Sequence, residues 1–252
     1  MTSYLLGEEI GLVAGAALVV DYVLTVTVSL SSGADALLSL LPAWVHPWKL
    51  SFAMMELVTL MIFNMRGLKE LVAMLVPVFV IFLFTHAILL IAVLSTYFLQ
   101  IGSTNRAIKN NLLNAMHTLS WTGMLHLLVR VYSIGRGGAY TGIEAVSKGV
   151  SLMRESQVTT AKRVMVLLAS SLVIMASGIL FSCLIVGIHP ESGNTMNTVL
   201  LERLVGGCYP RDPLGYGAFV LTLLSEALLL FVEAQTGFLD GLRVMASMAV
   251  DS

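Results

Sequence analysis

The sequence predicts an all-α membrane protein with six transmembrane helices. Three observations predict this class: a large apolar fraction, a scarcity of charge, and six long apolar runs. Hydrophobic residues make up 57% of the 252 residues and charged residues 12%, whereas about a quarter of an ordinary soluble domain is charged. A chain of this size cannot enclose so much apolar surface in one water-soluble core. Its apolar side chains are therefore predicted to face lipid.

Each of the six runs approaches the roughly 20 residues that a helix needs to cross about 30 Å of hydrocarbon. They lie at Ile10 to Ser31, Trp48 to Met65, Leu71 to Leu94, Trp121 to Val150, Val164 to Ile188 and Gly217 to Phe238. From Gly135 onwards the fourth run contains five glycines, together with Arg136 and Glu144. An uninterrupted lipid-facing helix would not tolerate these residues, so a broken helix is predicted near residues 137–142.

The connections between the runs set the predicted topology. Two polar stretches are expected as outside loops: Asn105 to Leu119, leading into an interfacial helix, and His189 to Pro213, with a short helix at Asn197 to Val205. With both termini in the cytoplasm, the inside segments hold seven Lys and Arg residues and the outside segments five. This bias favours cytoplasmic termini. We expect a single transmembrane module over residues 1–252, integral to a bacterial inner (plasma) membrane.

Several function classes are excluded or disfavoured by composition and motifs. A net charge of −1 and a pI near 6.5 provide no basic surplus for nucleic acid. The two cysteines cannot form a four-ligand zinc site, and no nucleotide-binding or hydrolase motif occurs. No cofactor, no resident metal and no enzymatic activity are expected.

The first apolar run carries Asp21, Thr25 and Ser29 at intervals of four residues. At 100° per residue these positions form one stripe on a helix. A carboxylate with stacked hydroxyls is an oxygen-only ligand set, which suits hard cations such as K⁺, Na⁺ or protons. The alternative is structural: the hydroxyls bond back to carbonyls of their own helix, and Asp21 pairs with a neighbouring helix.

The fourth and sixth runs supply further polar candidates. Thr141 and Glu144 would project from the start of a half-helix after the predicted break, where exposed backbone groups also attract ions. The glycines could instead be helix-packing positions, with Glu144 paired to an arginine. Glu226 and Glu233 are seven residues apart, on one face of the sixth span. They could form a proton relay or line a wet interior, and the lining role is favoured.

Four blocks stand out in order along the chain: AGAALVVDYVLTVTVSLSSG, NMRGLKE, GGAYTGIEAVSKG and LLSEALLLFVEAQTGFLDGLRVMASMAVDS. Together they resemble the amino acid/polyamine/organocation (APC) permeases, and their spacing fits the third to eighth helices of that fold. The resemblance implies the APC, or LeuT-type, inverted-repeat fold with a broken sixth helix. Arg136 departs from the small residue expected inside the glycine run.

Within that superfamily, six residues match the pattern of the proton-coupled potassium-importer branch. The resemblance implies that K⁺ is coordinated by the side chains of Asp21, Tyr22, Thr25, Ser29, Thr141 and Glu144. It implies a secondary active transporter that takes up K⁺ with H⁺ and lies in the lipid bilayer. A homo-oligomer is a possible assembly. An amino-acid permease is the nearest alternative, and a non-transporting membrane fragment or subunit is another.

The chain is short for this fold. The family fold has two inverted five-helix repeats plus further helices, with the site between the first and sixth helices. The resemblance places this chain from just before the third helix to just after the eighth. We therefore expect a fragment of a longer permease, inactive alone because the first two and last helices are missing.

Overall fold

The computed structural model describes residues 7–65, 71–135, 156–191, 194–205 and 213–251, which form helices and short connections without a strand. Within these described ranges there are seven α-helices: α1 (Glu8–Leu38), α2 (Lys49–Met65), α3 (Leu71–Tyr97), α4 (Ile101–Gly135), α5 (Gln157–Val186), α6 (Met196–Val205) and α7 (Pro213–Asp251). Short 3-10 helices, Ala43–Trp48 and Phe98–Gln100, precede α2 and α4. The predicted all-α class is confirmed.

Five helical stretches in the described residues are long and apolar enough to cross a membrane. They are Glu9–Leu38, Trp44–Met65, Pro77–Tyr132, Gln157–Val186 and Pro213–Ala249. The third of these contains the third predicted span from Pro77 onwards and the beginning of the fourth. The remainder of the fourth span, with the predicted break at 137–142, lies outside the described residues. The chain is an integral membrane protein.

The prediction of a loop at Asn105 to Leu119 is wrong, because α4 runs through this segment. The polar residues suggested a loop, but residues 103–119 contain neither Gly nor Pro, and nothing else there breaks a helix. Helical geometry is interrupted only at Ser120, with φ 60° and ψ 166°, immediately before the predicted fourth span. The short helix predicted at Asn197 to Val205 is confirmed as α6.

The chain divides into two compact units, Met1–Thr85 with Pro190–Ser252, and His86–His189. The first unit is built around the pair α1 and α7, with α2 beside them. Its core contains Val26, Leu30, Leu60 and Ala234. Phe63 of α2 and Phe231 of α7 pack edge to face, with ring centroids 6.4 Å apart. These contacts hold the α1 stripe against α7.

Two glycines allow α7 to approach α1 closely. A Cβ atom placed at Gly241 would lie 3.4 Å from Cβ of Tyr22, and one at Gly237 would lie 3.3 Å from Cγ2 of Val26. Apolar burial does not drive helices together in lipid, so close packing across small residues takes its place. The glycines therefore set the distance between the two helices.

We expect Gly241→Leu to destabilise the folded chain, because the larger side chain would have to displace Tyr22. Overpacking of this kind costs about 1–3 kcal/mol. Thermal unfolding of the purified chain in detergent should show a lower midpoint. The matched control is Gly217→Leu on the same helix, because a Cβ there meets nothing within 4 Å. Equal midpoints for the two variants would contradict the close packing of α1 and α7.

Candidate functional site

The predicted stripe on α1 is graded in its burial. Asp21 is exposed, Thr25 is half-buried, and Ser29 is only 3% exposed. Residues four apart on an α-helix are rotated by about 40° relative to each other. The stripe therefore turns from the surface of the unit at Asp21 to the α7 interface at Ser29.

The stripe is also extended along the helix axis. Eight residues at 1.5 Å each separate the backbones of Asp21 and Ser29 by about 12 Å. One ion cannot contact both side chains at once, whereas Thr25 is within one turn of each. The three polar side chains are therefore spread along α1 and do not surround a single point.

Packing against α7 fixes two further side chains of the predicted site. Tyr22 is 2% exposed and lies against Gly241. Cγ2 of Thr25 would be 3.5 Å from a Cβ placed at Gly237. The methyl group of Thr25 thus faces α7, and this contact restricts the rotamers that its hydroxyl can adopt.

Ser29 is linked to Glu233 of α7 by a side-chain hydrogen bond. An ionised carboxylate only accepts hydrogen bonds. The Ser29 hydroxyl is therefore the hydrogen-bond donor when Glu233 is ionised. The hydroxyl oxygen then presents its lone pairs to its other neighbours. This arrangement restricts the orientation of the Ser29 hydroxyl.

Glu226 has different surroundings, although it shares a helix face with Glu233. Its carboxylate bonds the side chain of Asn197 on α6. Oε2 of Glu226 is buried and has no hydrogen-bond partner in the described part of the chain. The two glutamates of α7 therefore contact different helices. Glu226 contacts α6, and Glu233 contacts α1.

Sequence reasoning missed Glu56. It is the only acidic residue in the otherwise apolar helix α2, and that isolation was the available signal. Its Oε2 is buried and has no hydrogen-bond partner among the described residues. A Cβ placed at Gly33 of α1 would lie 4.0 Å from this oxygen, which places the Glu56 carboxylate beside α1.

A polar network secures the end of α1 that follows the stripe. Lys49 and Asp35 form an ion pair with Nζ and Oδ2 2.7 Å apart. The Thr198 hydroxyl of α6 donates to Ser39 Oγ at 3.4 Å. Together with the bond between Asn197 and Glu226, this contact ties α6 to both long helices of the first unit.

Glu202 of α6 lies outside the spans. Burial, and then the nearby negative charge of Glu191, raises the pKa of the Glu202 carboxyl above its ordinary value.

The remaining predicted ligands cannot be placed. Thr141 and Glu144 lie outside the described residues, so their convergence with Asp21 stays a prediction. Asp21 has no ion pair or hydrogen bond with any other described residue. In the described ranges no group of three or more His, Cys, Asp or Glu side chains could hold a metal ion.

Comparison with known proteins identifies the family. The family model described as Amino acid permease matches residues 1–251. The chain is also 31% identical over 237 residues to the potassium transporter KimA of Bacillus subtilis (strain 168). That match covers 92% of this chain and 36% of the relative, so the chain spans about a third of the relative's length. The chain belongs to the amino acid permease family of the APC superfamily.

Proposed function

We propose that this chain contributes the cation site of a secondary transporter that takes up K⁺ with H⁺. The observation that carries the proposal is the 31% identity, over 92% of the chain, to a protein described as a potassium transporter. The proposed ligands are the side chains of Asp21, Tyr22, Thr25, Ser29, Thr141 and Glu144. The relative's organism also supports a bacterial inner membrane as its location.

The chemistry of α1 supports a cation rather than a zwitterion. Asp21 is a carboxylate on a transmembrane helix with no cationic partner among the described residues, and an uncompensated charge at membrane depth is costly. A K⁺ bound at Asp21 would compensate it, and the Thr25 hydroxyl would replace water around that ion. The Ser29 hydroxyl would do the same at the next position along the helix. The spacing along α1 suits successive K⁺ positions as the ion moves.

We assign Glu233 a positioning role through its hydrogen bond to Ser29. Glu226 lines the other side of α7 next to Asn197. A relay that passes a proton between these two glutamates is less favoured, because their bonded partners lie on different helices.

An amino-acid permease is the second candidate, favoured by the description of the matching family model. In that case the backbone of a broken helix would hold the carboxylate and amine of the substrate. Such a transporter would not need the carboxylate of Asp21. A non-transporting subunit is a third candidate, and it predicts no solute movement at all.

The test is growth of a potassium-uptake-deficient bacterium at limiting K⁺. The chain is expressed as it is, and as a chimera in which it replaces the matching segment of the Bacillus relative. We expect the chimera to restore growth and K⁺ uptake, and a protonophore to abolish that uptake. Asp21→Asn should raise the K⁺ concentration for half-maximal uptake about tenfold or more, which corresponds to about 1.4 kcal/mol of lost binding.

The matched control for this experiment is Thr27→Val on the same helix. The Thr27 hydroxyl bonds the Val23 carbonyl of its own helix at 2.8 Å and is not a proposed ligand, so uptake should be retained. Membrane levels of each variant are measured by immunoblot. Uptake by the Asp21→Asn chimera equal to that of its parent would refute the cation site at Asp21. A chimera that reaches the membrane and moves amino acids without K⁺ would favour the amino-acid permease. A chimera that reaches the membrane but moves neither K⁺ nor amino acids would favour the subunit.

The proposed orientation, with both termini in the cytoplasm, predicts that residue 208 lies outside. In a Cys183→Ser variant, which leaves Cys208 as the only cysteine, a membrane-impermeant maleimide should label intact cells. Cys208→Ser is the control, because buried Cys183 should stay unlabelled. Labelling of Cys208 only after permeabilisation would show that the orientation is reversed.

A further inference from the structure

The first half of α4, residues 101–119, has two distinct faces. At 100° per residue, six apolar residues fall within an arc of about 100°, with Asn105 the polar exception among them. They are Ile101, Ile108, Leu112, Ala115, Met116 and Leu119. Lys109 borders this arc, and Arg106 and His117 lie beyond it on the polar side. This pattern is typical of a helix that lies in a membrane interface.

The apolar face is not covered within the described structure. Leu112 is 50% exposed and Leu119 46% exposed. The basic side chains of Arg106 and Lys109 are exposed as well. Both faces of this helix are therefore exposed in the described part of the chain.

A cavity lies where the helix breaks at Ser120. It has a volume of about 410 Å³ and is lined by Leu112, Leu113, Met116, His117, Trp121 and Met124. This volume is within the range of roughly 300–1,000 Å³ that is usual for ligand pockets. Its walls are apolar except for the imidazole of His117. An acyl chain fits this lining.

The charge of the surrounding sequence identifies the occupant. Residues 71–143 contain no Asp or Glu. The same segment contains four basic residues, Arg106, Lys109, Arg130 and Arg136. An anionic lipid matches this surface, because its acyl chain suits the apolar arc and its phosphate suits the two cations. A second copy that docked through this same face would bring the same positive charge and be repelled. A zwitterionic lipid has no net negative charge to offer.

We propose that α4 lies in the membrane interface along residues 101–119 and binds an anionic phospholipid at the Ser120 break. Arg106 and Lys109, three residues apart and so on neighbouring turns of the helix, attract the headgroup. The acyl chain occupies the cavity beside Trp121. This lipid site does not include the proposed cation ligands. The proposal does not depend on whether the chain takes part in K⁺ transport.

The test is fluorescence of Trp121 in reconstituted bilayers. Trp44→Phe and Trp48→Phe together leave Trp121 as the only tryptophan, and this double variant is the parent protein. Brominated phosphatidylglycerol and brominated phosphatidylcholine are compared as quenchers at equal mole fraction in the same mixture of the two lipids. We expect the relative association constant to favour phosphatidylglycerol about fivefold or more, because each basic residue near the surface adds to the attraction.

Arg106→Gln with Lys109→Gln should remove this preference while leaving quenching by brominated phosphatidylcholine intact. The matched control, Lys162→Gln with Arg163→Gln on α5, removes the same charge from two exposed positions and should keep the preference. The proposal is overturned if both lipids quench the parent equally, or if the Arg106 and Lys109 variant retains the preference. It is also overturned if Trp121 is shielded from both lipids, which would indicate a protein partner such as a second copy.

Discussion

Close contact between α1 and α7 is the constraint on which the rest of the first unit depends. Gly237 and Gly241 lack side chains where α7 crosses Val26 and Tyr22, and lipid supplies no hydrophobic force that would bring the helices together. The close approach of α7 to α1 must therefore depend on the complementary shapes of the two helix surfaces. Once α1 and α7 are in contact, the rotation of α1 about its axis is fixed. The direction in which its polar stripe points is then fixed as well.

The polar contacts follow from that rotation. Ser29 comes within hydrogen-bonding reach of Glu233, while Asp21, two turns earlier, stays at the surface of the unit. The remaining carboxylates meet other elements, with Glu226 bonded to Asn197 of α6 and Glu56 lying beside Gly33. The accessible carboxylate of Asp21 is thus separated from the half-buried carboxylates of Glu56, Glu226 and Glu233. A cation path needs a carboxylate that an ion can reach.

The sequence predicted most of this fold because apolar run length directly reflects the thickness of a bilayer. It was wrong at residues 105–119, where polarity was taken to indicate a loop although the apolar residues recur at helical intervals. The stripe of Asp21, Thr25 and Ser29 could be predicted from helical periodicity. The graded burial of this stripe could not be predicted, because it depends on which face of α1 packs against α7. That packing is a property of the tertiary structure. Glu56 was missed because a single carboxylate forms no pattern.

The most direct test of the central claim is to locate a heavy analogue of K⁺ in crystals of the chimera with the Bacillus relative. Anomalous scattering from Tl⁺ would show where the ion binds. The account predicts density along the α1 stripe, with one peak in contact with the side-chain oxygens of Asp21 and Thr25. Well-occupied Tl⁺ peaks elsewhere in the protein, with none touching Asp21, Thr25 or Ser29, would contradict it.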